Sequence, residues 1–433
     1  MNLQPLPTLW NLYNLESSPY FQDVLEGAES SPRPLSLFVG REAELAVLQN
    51  TIHGAGQHGS RQAVAGNPGV GKTTLVQELK LKLLAQGYLT SDSIVPILPG
   101  DTTEAIFGRV LGMLYDTILA NRPHTVNHPA MQDAQVLVRA TRLMSTGVNL
   151  SILGVGGGVS RSNTPLNPGD FMIDGPRVMR DLMRLVQQSD ARGVIIHVNN
   201  LETLAEADLV RAAEILRGLR DPMLMYDGLH FVFVGTTDAI NAAINTHAQV
   251  RNIFSTIHLE PLALSEVFKL LNARYQHLRK DSNYPVTPPV DDDAVAALYT
   301  MYRGDLRGLF KALEDGVTPL LGLAGTGEKA GDRTSVRPLT LDEVRPVLQK
   351  RYAAHLASLP EQTRIEQLTK WGQTQPESAQ TQKSLMKLWK VSQGAVSNAL
   401  KYLIQQGYVV ALPREGAKPI HYVLSGTSRL IFG

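Results

Sequence analysis

The sequence predicts an α/β chain: parallel strands around a phosphate-binding loop, then a helical segment, then a small C-terminal unit of helices and a hairpin. Three observations predict it. GNPGVGKTT, Gly66 to Thr74, fits G-x-x-x-x-G-K-[ST] at every fixed position, with a β-type run from Gln62 to Ala65 before it and a helical pattern after it. Two β-branched apolar runs, Gly193 to Glu202 and Phe231 to Val234, end in polar residues, as buried parallel strands do when they deliver groups to their carboxyl ends. Near the C-terminus, helical spacing gives way to two short β-type stretches, Tyr408 to Leu412 and Ile420 to Leu424.

With 433 residues, 43% of them hydrophobic and 19% charged, the chain has material for a large core and, at roughly 150 residues per domain, for two to four domains. The expected boundaries are an N-terminal strap over 1–35, a nucleotide-binding domain over 36–260, a helical lid and linker over 261–340 and a C-terminal domain over 341–433. No stretch reaches the ~20 apolar residues of a membrane span, and the first residues have neither the basic start nor the apolar core of a signal peptide. The absence of cysteine excludes disulfides and thiolate metal sites. A soluble, cytoplasmic protein is expected. The net charge of +1 leaves attraction to nucleic acid to a local patch, since fields are screened within about 8 Å at physiological salt.

The phosphate loop is the most specific feature. Gly66, Gly69 and Gly71 let the backbone curl so that N–H groups point inward, with Asn67, Pro68 and Val70 completing the curl. The helix beginning at Lys72 adds its positive N-terminal end. Lys72 suits the β- and γ-phosphates of a nucleotide, the Thr73 hydroxyl a Mg²⁺ ion bridging them, and Thr74 continues the helix. Leu75, Leu79, Leu81, Leu83 and Leu84 are read as the apolar face of that helix, which Gly87 closes.

Ahead of the loop, residues 1–35 contain Trp10, Tyr13, Tyr20 and Phe21, costly to leave in water, so a packed strap is set against a disordered tail. LFVGREAELAVL, Leu37 to Leu48, follows. This FVGRE-x-EL run before a phosphate loop resembles the opening of AAA+ and related ATPase modules, where the segment lies against adenine. The resemblance implies ATP as ligand and five parallel strands with the second at the edge. Ser93 to Leu98 fits that edge, because Pro96 cannot donate to a ladder. Residues 105–119 and 131–144 carry helical apolar spacing. Gly147 to Asp170 is glycine-rich; a surface loop and an element reaching DNA or a neighbouring subunit both stay open, with Arg161 its one phosphate contact.

Where the family's strand ends in aspartate and a second acid, this chain has Asn199 and Asn200. An amide can hold a magnesium-bound water but cannot neutralise the ion, and such changes commonly cost about 10- to 100-fold. Glu202 either polarises the attacking water or is an acid at a helix start. His197 reads as a core residue, having no second metal ligand. Thr236, after the strand to Val234, matches the family's sensor 1 or caps the next helix. Arg251 matches an arginine finger acting in a neighbouring subunit or a surface ion pair. YRGDLRGLF, from Tyr302, resembles sensor 2, which makes Arg307 the phosphate-reaching arginine.

The segment TQKSLMKLWKVSQGAVSNALKYLIQQGYVV resembles a winged helix-turn-helix. Ser392 caps the second helix; Val396, Ala399, Leu400 and Leu403 face inward, leaving Gln393, Ser397, Asn398 and Lys401 outside, where amides can pair with adenine edges. Arg414 and Lys418 mark the wing. From Ser378 to Gly433 seven basic residues, Arg429 among them, stand against Glu415 alone. About five phosphate contacts would give a log-log salt slope of roughly −4.5. Winged helices also dock proteins. From 36 to 433 the pattern resembles initiator ATPases of the origin-recognition type. That implies ATP with Mg²⁺, duplex DNA, and a homo-oligomer or partner protein at the ATP interface. The other reading is a nucleotide-gated regulator or scaffold of transposition, plasmid maintenance or antiviral defence, with weak or no hydrolysis.

Overall fold

The computed structural model describes residues 9–23, 25, 33–145, 168–207, 209–324, 336–412 and 419–433. It divides into two compact units, one of Val24–Asn67 and Lys72–Leu259, the other of Met1–Asp23, Pro68–Gly71 and Glu260–Gly433.

The first unit is a five-stranded parallel sheet between helices. After helix α1 (Glu42–Ala55) come β1 (Arg61–Gly66), α2 (Lys72–Ala85), β2 (Val95–Pro96), α3 (Thr103–Asn121), α4 (Pro129–Ser145) and α5 (Pro168–Gln187). Then follow β3 (Val194–Asn199), α6 (Glu202–Ala207), α7 (Leu209–Leu219), β4 (Leu229–Gly235), α8 (Thr237–Asn245), α9 (Ala248–Arg251) and β5 (Ser255–Leu259). The strand order is β2-β3-β4-β1-β5, all parallel, so the expected edge position of β2 holds. β2 is shorter than the expected Ser93 to Leu98. Pro96 has no N–H, and the N–H of Leu98 is taken by Asp101 Oδ2 at 2.7 Å, which ends the strand. Apart from Arg61 and Asn199 at two strand ends, β1, β3 and β4 are buried and mostly apolar, because helices cover both faces. Ile196, Val198, Phe231 and Phe233 pack with Ile106, Phe107, Val110 and Leu111 of α3.

One expectation about α2 is corrected. Leu75, Leu79 and Leu83 are buried, but Leu81 and Leu84 are 40% and 44% exposed, and the inward stripe is completed by Val76 and Lys80. The helical period puts 76, 79, 80 and 83 on one face and turns 81 and 84 away. Of the glycine-rich stretch, residues 147–167 lie outside the described residues, Arg161 with them; residues 168–170 open α5.

The second unit contains α10 (Leu264–His277), α11 (Asp292–Met301), α12 (Leu306–Ala324), α13 (Leu341–Ala357), α14 (Gln362–Thr374), α15 (Gln382–Trp389) and α16 (Gln393–Gln405). The antiparallel pair β6 (Val409–Ala411) and β7 (Tyr422–Leu424) and α17 (Gly426–Phe432) complete it. Residues 325–335 of the expected linker are outside the described set. Residues 9–23 pack against the lid helices. Tyr20 is buried edge-to-face against Trp10 at 5.8 Å, and the Asn14 side chain donates to the carbonyls of Asp281 and Tyr284 at 2.9 and 2.8 Å. The Arg274 guanidinium lies 4.0 Å from the Phe21 ring centroid and 4.2 Å from that of Phe310, and donates to the carbonyls of Pro19 and Phe21. Planar charge between two rings is a cation–π arrangement, strengthened by the loss of water around it.

Candidate nucleotide site and nucleic-acid face

β1 ends at Gly66 and α2 begins at Lys72, so the phosphate loop joins a buried strand to a helix N-terminus, as anion binding requires. Gly69 and Gly71 have φ of +80° and +91°, left-handed values that a side chain would strain. Lys72 Nζ donates to the carbonyls of Gly66 and Asn67 at 2.9 and 2.8 Å, which holds the ammonium over its own loop.

Sheet order sets β3, β4 and β1 side by side, so Asn199, Gly235 and Gly66 stand at one carboxyl edge. Along β3, Ile196 and Val198 enter the α3 core, while the alternate residues His197 and Asn199 face α2. Asn199 Nδ2 reaches Thr73 Oγ1 at 3.5 Å. A half-turn of the amide presents its carbonyl to the same hydroxyl, which suits a magnesium-bound water. Asn200, at φ +65°, turns the chain sharply into α6, which starts at Glu202. Glu202 Oε2 is buried and accepts no hydrogen bond among the described residues. Gly235 faces it: a methyl group there would stand 3.4 Å from Oε2. A buried carboxylate oxygen beside the strand ends that makes no hydrogen bond calls for a donor such as water.

Thr236 is the N-cap of α8, its Oγ1 accepting from the Ala239 N–H at 3.4 Å. Capping leaves the hydroxyl proton available, so both readings of Thr236 are compatible with its position. Arg251 is the exposed last residue of α9. Arg307 is exposed in the first turn of α12, in the other unit.

Two charged or titratable groups are buried behind the site, and the first of them, Lys80, escaped the sequence reading. Lys80 is 3% exposed, donates to the Ser93 carbonyl at 3.1 Å, and burial pulls its ammonium down to about 8. His197 is 1% exposed, and burial with the nearby Lys80 charge holds its imidazole well below the usual value, hence neutral. Neither ring nitrogen is hydrogen-bonded among the described residues, which agrees with a core histidine. The i, i+4 spacing from Val76 was the available signal for Lys80. The unfolded chain holds the Lys80 proton up to about 10.5, the folded one only to about 8, so this group's burial penalty disappears as pH rises across that window. Lys80→Met is expected to raise stability at pH 7 by about 1–3 kcal/mol and to flatten the pH 8–10.5 rise, checked by urea midpoints at pH 7 and 10.

In the second unit, α15, the left-handed Lys390 and α16 form a helix-turn-helix, and Ser392 Oγ caps α16 by accepting from Ala395 N–H at 3.4 Å. Val396, Ala399, Leu400 and Leu403 are buried, while Gln393, Ser397, Asn398 and Lys401 are exposed, so the helical phase is as expected. Lys383, Lys387 and Lys390 are exposed as well. β6 and β7 make the hairpin; Arg414 and Lys418, expected on its wing, lie outside the described residues. The basic count is corrected at one position. Arg429 is 8% exposed and paired with Glu377 at 3.0 Å, one residue before the counted window, so it adds nothing to an outward patch. Among the described residues no helix is long and apolar enough to cross a membrane, and no cluster of three His, Asp or Glu could hold a metal.

Residues 37–226 match the AAA ATPase domain family. No curated protein matches the chain. Similar solved structures include the Aeropyrum pernix ORC1 protein in complex with DNA, at 15% identity and TM-score 0.43, covering 91% of this chain and 92% of that one. The Aeropyrum pernix ORC2 protein (ADPNP–ADP complexes) matches at 12% identity and TM-score 0.46 over 95% of both chains. Drosophila ORC bound to DNA matches at 13% identity and TM-score 0.42, over 100% of this chain and 94% of that one. At these scores none of them assigns a function, and the functional reading rests on the chain's own residues. The loop at Gly66, the strand order β2-β3-β4-β1-β5 and the family match agree: residues 37–226 lie in an AAA ATPase domain.

Proposed function

We propose that the chain binds Mg-ATP on the Gly66–Thr74 loop, binds duplex DNA through α16 and the hairpin, and uses the nucleotide to set its state of assembly. This is the activity implied by the resemblance to origin-recognition initiators. The observation that carries it is the approach of Asn199 to Thr73, at 3.5 Å, which gathers the strand end and the metal-bearing hydroxyl at one loop. Lys72 neutralises phosphate charge, Thr73 and a water on Asn199 hold the ion, and Glu202 orients the attacking water. The ion itself supplies charge neutralisation at the γ-phosphate. Arg307 and a neighbouring subunit's Arg251 complete the phosphate contacts. On α16, Gln393 and Asn398 face bases while Ser397 and Lys401 face phosphates, with Arg414 and Lys418 as wing contacts.

Asn199 also favours a second reading. An amide in place of a carboxylate leaves the ion undercharged, so ATP would fix a conformation with little or no turnover, as in a nucleotide-gated regulator or scaffold.

One set of measurements separates them: ATP turnover and particle size with and without duplex DNA, in wild type, Glu202→Gln and Lys401→Glu. Turnover lost in Glu202→Gln supports the ATPase; tight ATP binding with no turnover in either supports the scaffold. Lys401→Glu should weaken DNA retention about tenfold at constant salt without changing ATP affinity. Undiminished retention would remove α16 from the DNA interface.

A further inference from the structure

The turn leading into Arg307 lies within the second unit, and the same unit's C-terminal helix grips it. Tyr302 leaves α11, Arg303 and Gly304 follow at φ +52° and +81°, and Asp305 Oδ1 accepts the Arg307 N–H at 3.0 Å as α12 opens. Two glycines abut the Tyr302 ring. A Cβ on Gly308, in the first turn of α12, would stand 2.3 Å from Tyr302 Cδ1, and a Cβ on Gly426, the first residue of α17, 2.4 Å from the same carbon. No real side chain survives at such distances, so the ring is held between the backbone of the turn and that of α17. Its hydroxyl adds a hydrogen bond with Thr427 Oγ1 at 3.3 Å. Beside it Tyr352, on α13, donates to Asp315 Oδ2 at 3.2 Å, and Asp315 is paired with Lys311 and Arg351, each at 3.1 Å. Burial raises the Tyr302 pKa, so the hydroxyl stays neutral at physiological pH.

Close packing of this kind transmits displacement, because a filled core has no slack. Any shift of α17 must move the Tyr302 ring, and the ring bears on Gly308, the residue next to Arg307. We propose that Tyr302 is a positioning residue that locks the Arg307 turn to the winged helix, so that DNA engagement by α16 alters how Arg307 meets the nucleotide. The lock itself is a matter of packing; its consequence rests on the roles given above to Arg307 and α16. Tyr302 itself touches neither ligand.

The test uses the full-length chain with Gly426→Ala, Tyr302→Ala and Tyr302→Phe. Gly426→Ala drives a methyl into the ring, Tyr302→Ala removes the ring without requiring α17 to shift, and Tyr302→Phe keeps the ring. Amide hydrogen exchange of residues 303–308 and 426–430 should rise together, by about tenfold, in the two alanine variants and stay within about twofold in Tyr302→Phe. Faster exchange in only one of the two segments, in both alanine variants, would overturn the lock. The second readout is the ratio of ATP affinities with and without saturating duplex. It should be about fivefold or more in wild type and fall towards one in both alanine variants, while DNA affinity without nucleotide is unchanged. A ratio of one in wild type that still binds both ligands overturns the coupling alone. Failure of wild type to retain DNA overturns the functional reading, and the exchange result still decides the lock.

Discussion

Lys72→Ala is expected to weaken ATP binding by roughly 100-fold or more and to remove any turnover, measured by titration with a fluorescent ATP analogue and by phosphate release. Each hydrogen bond from an ammonium to a charged phosphate contributes about 1.5–3 kcal/mol, and Lys72 is positioned to make more than one. The fold should survive. Alanine favours the first turn of a helix, and the buried stripe of α2, Leu75, Val76, Leu79 and Leu83, is untouched. The carbonyls of Gly66 and Asn67 lose their donor, but Asn67 is exposed and water can replace it. Unchanged ATP affinity in a folded Lys72→Ala protein would mean that the loop is not a nucleotide site.

Trp371→Ala is expected to cost about 3–5 kcal/mol in the second unit, read as a lower urea midpoint followed by circular dichroism. Trp371 is fully buried on α14, with its ring 6.4 Å from Trp389 in an edge-to-face contact, in a cluster with Leu385, Leu400, Leu403 and Tyr408. A loss of that size is a large part of the 5–15 kcal/mol that typically separates folded from unfolded. DNA retention at 37 °C should fall with it although no contact residue has changed. Trp371→Phe should cost much less, because the indole N–H makes no hydrogen bond among the described residues. Equal losses in the two variants would show that the core needs the whole indole and that a smaller aromatic ring cannot replace it.

Features that depend on local spacing were legible in the sequence. The phosphate loop is a fixed pattern of glycines, and the helical phase of α16 separates Val396, Ala399, Leu400 and Leu403 from Gln393, Ser397, Asn398 and Lys401 without reference to the rest of the chain. Features that depend on distant partners were not. Arg429 counts as outward charge until Glu377 is found beside it. Leu81 and Leu84 look like core until the stripe of α2 is phased by Lys80, whose charge hides its burial. The grip on Tyr302 is written in Gly308 and Gly426, more than a hundred residues apart, and glycine in a helix gives no sign of what approaches it. At the candidate site the departure at Asn199 was visible from the strand pattern, whereas the unpaired Oε2 of Glu202 needed the neighbouring strand end to be seen.

The docking of residues 9–23 on the lid helices bears on how this protein can be cut. A fragment started at residue 36, where the ATPase pattern begins, would strip the Arg274 guanidinium of one of its two rings and both carbonyl acceptors, and uncover Tyr275, otherwise 6% exposed. A desolvated cation and bare aromatic surface would then face water together, a recipe for poor yield and aggregation during expression. The smallest well-behaved fragment containing the lid is therefore longer at its N-terminus than any motif-based boundary suggests.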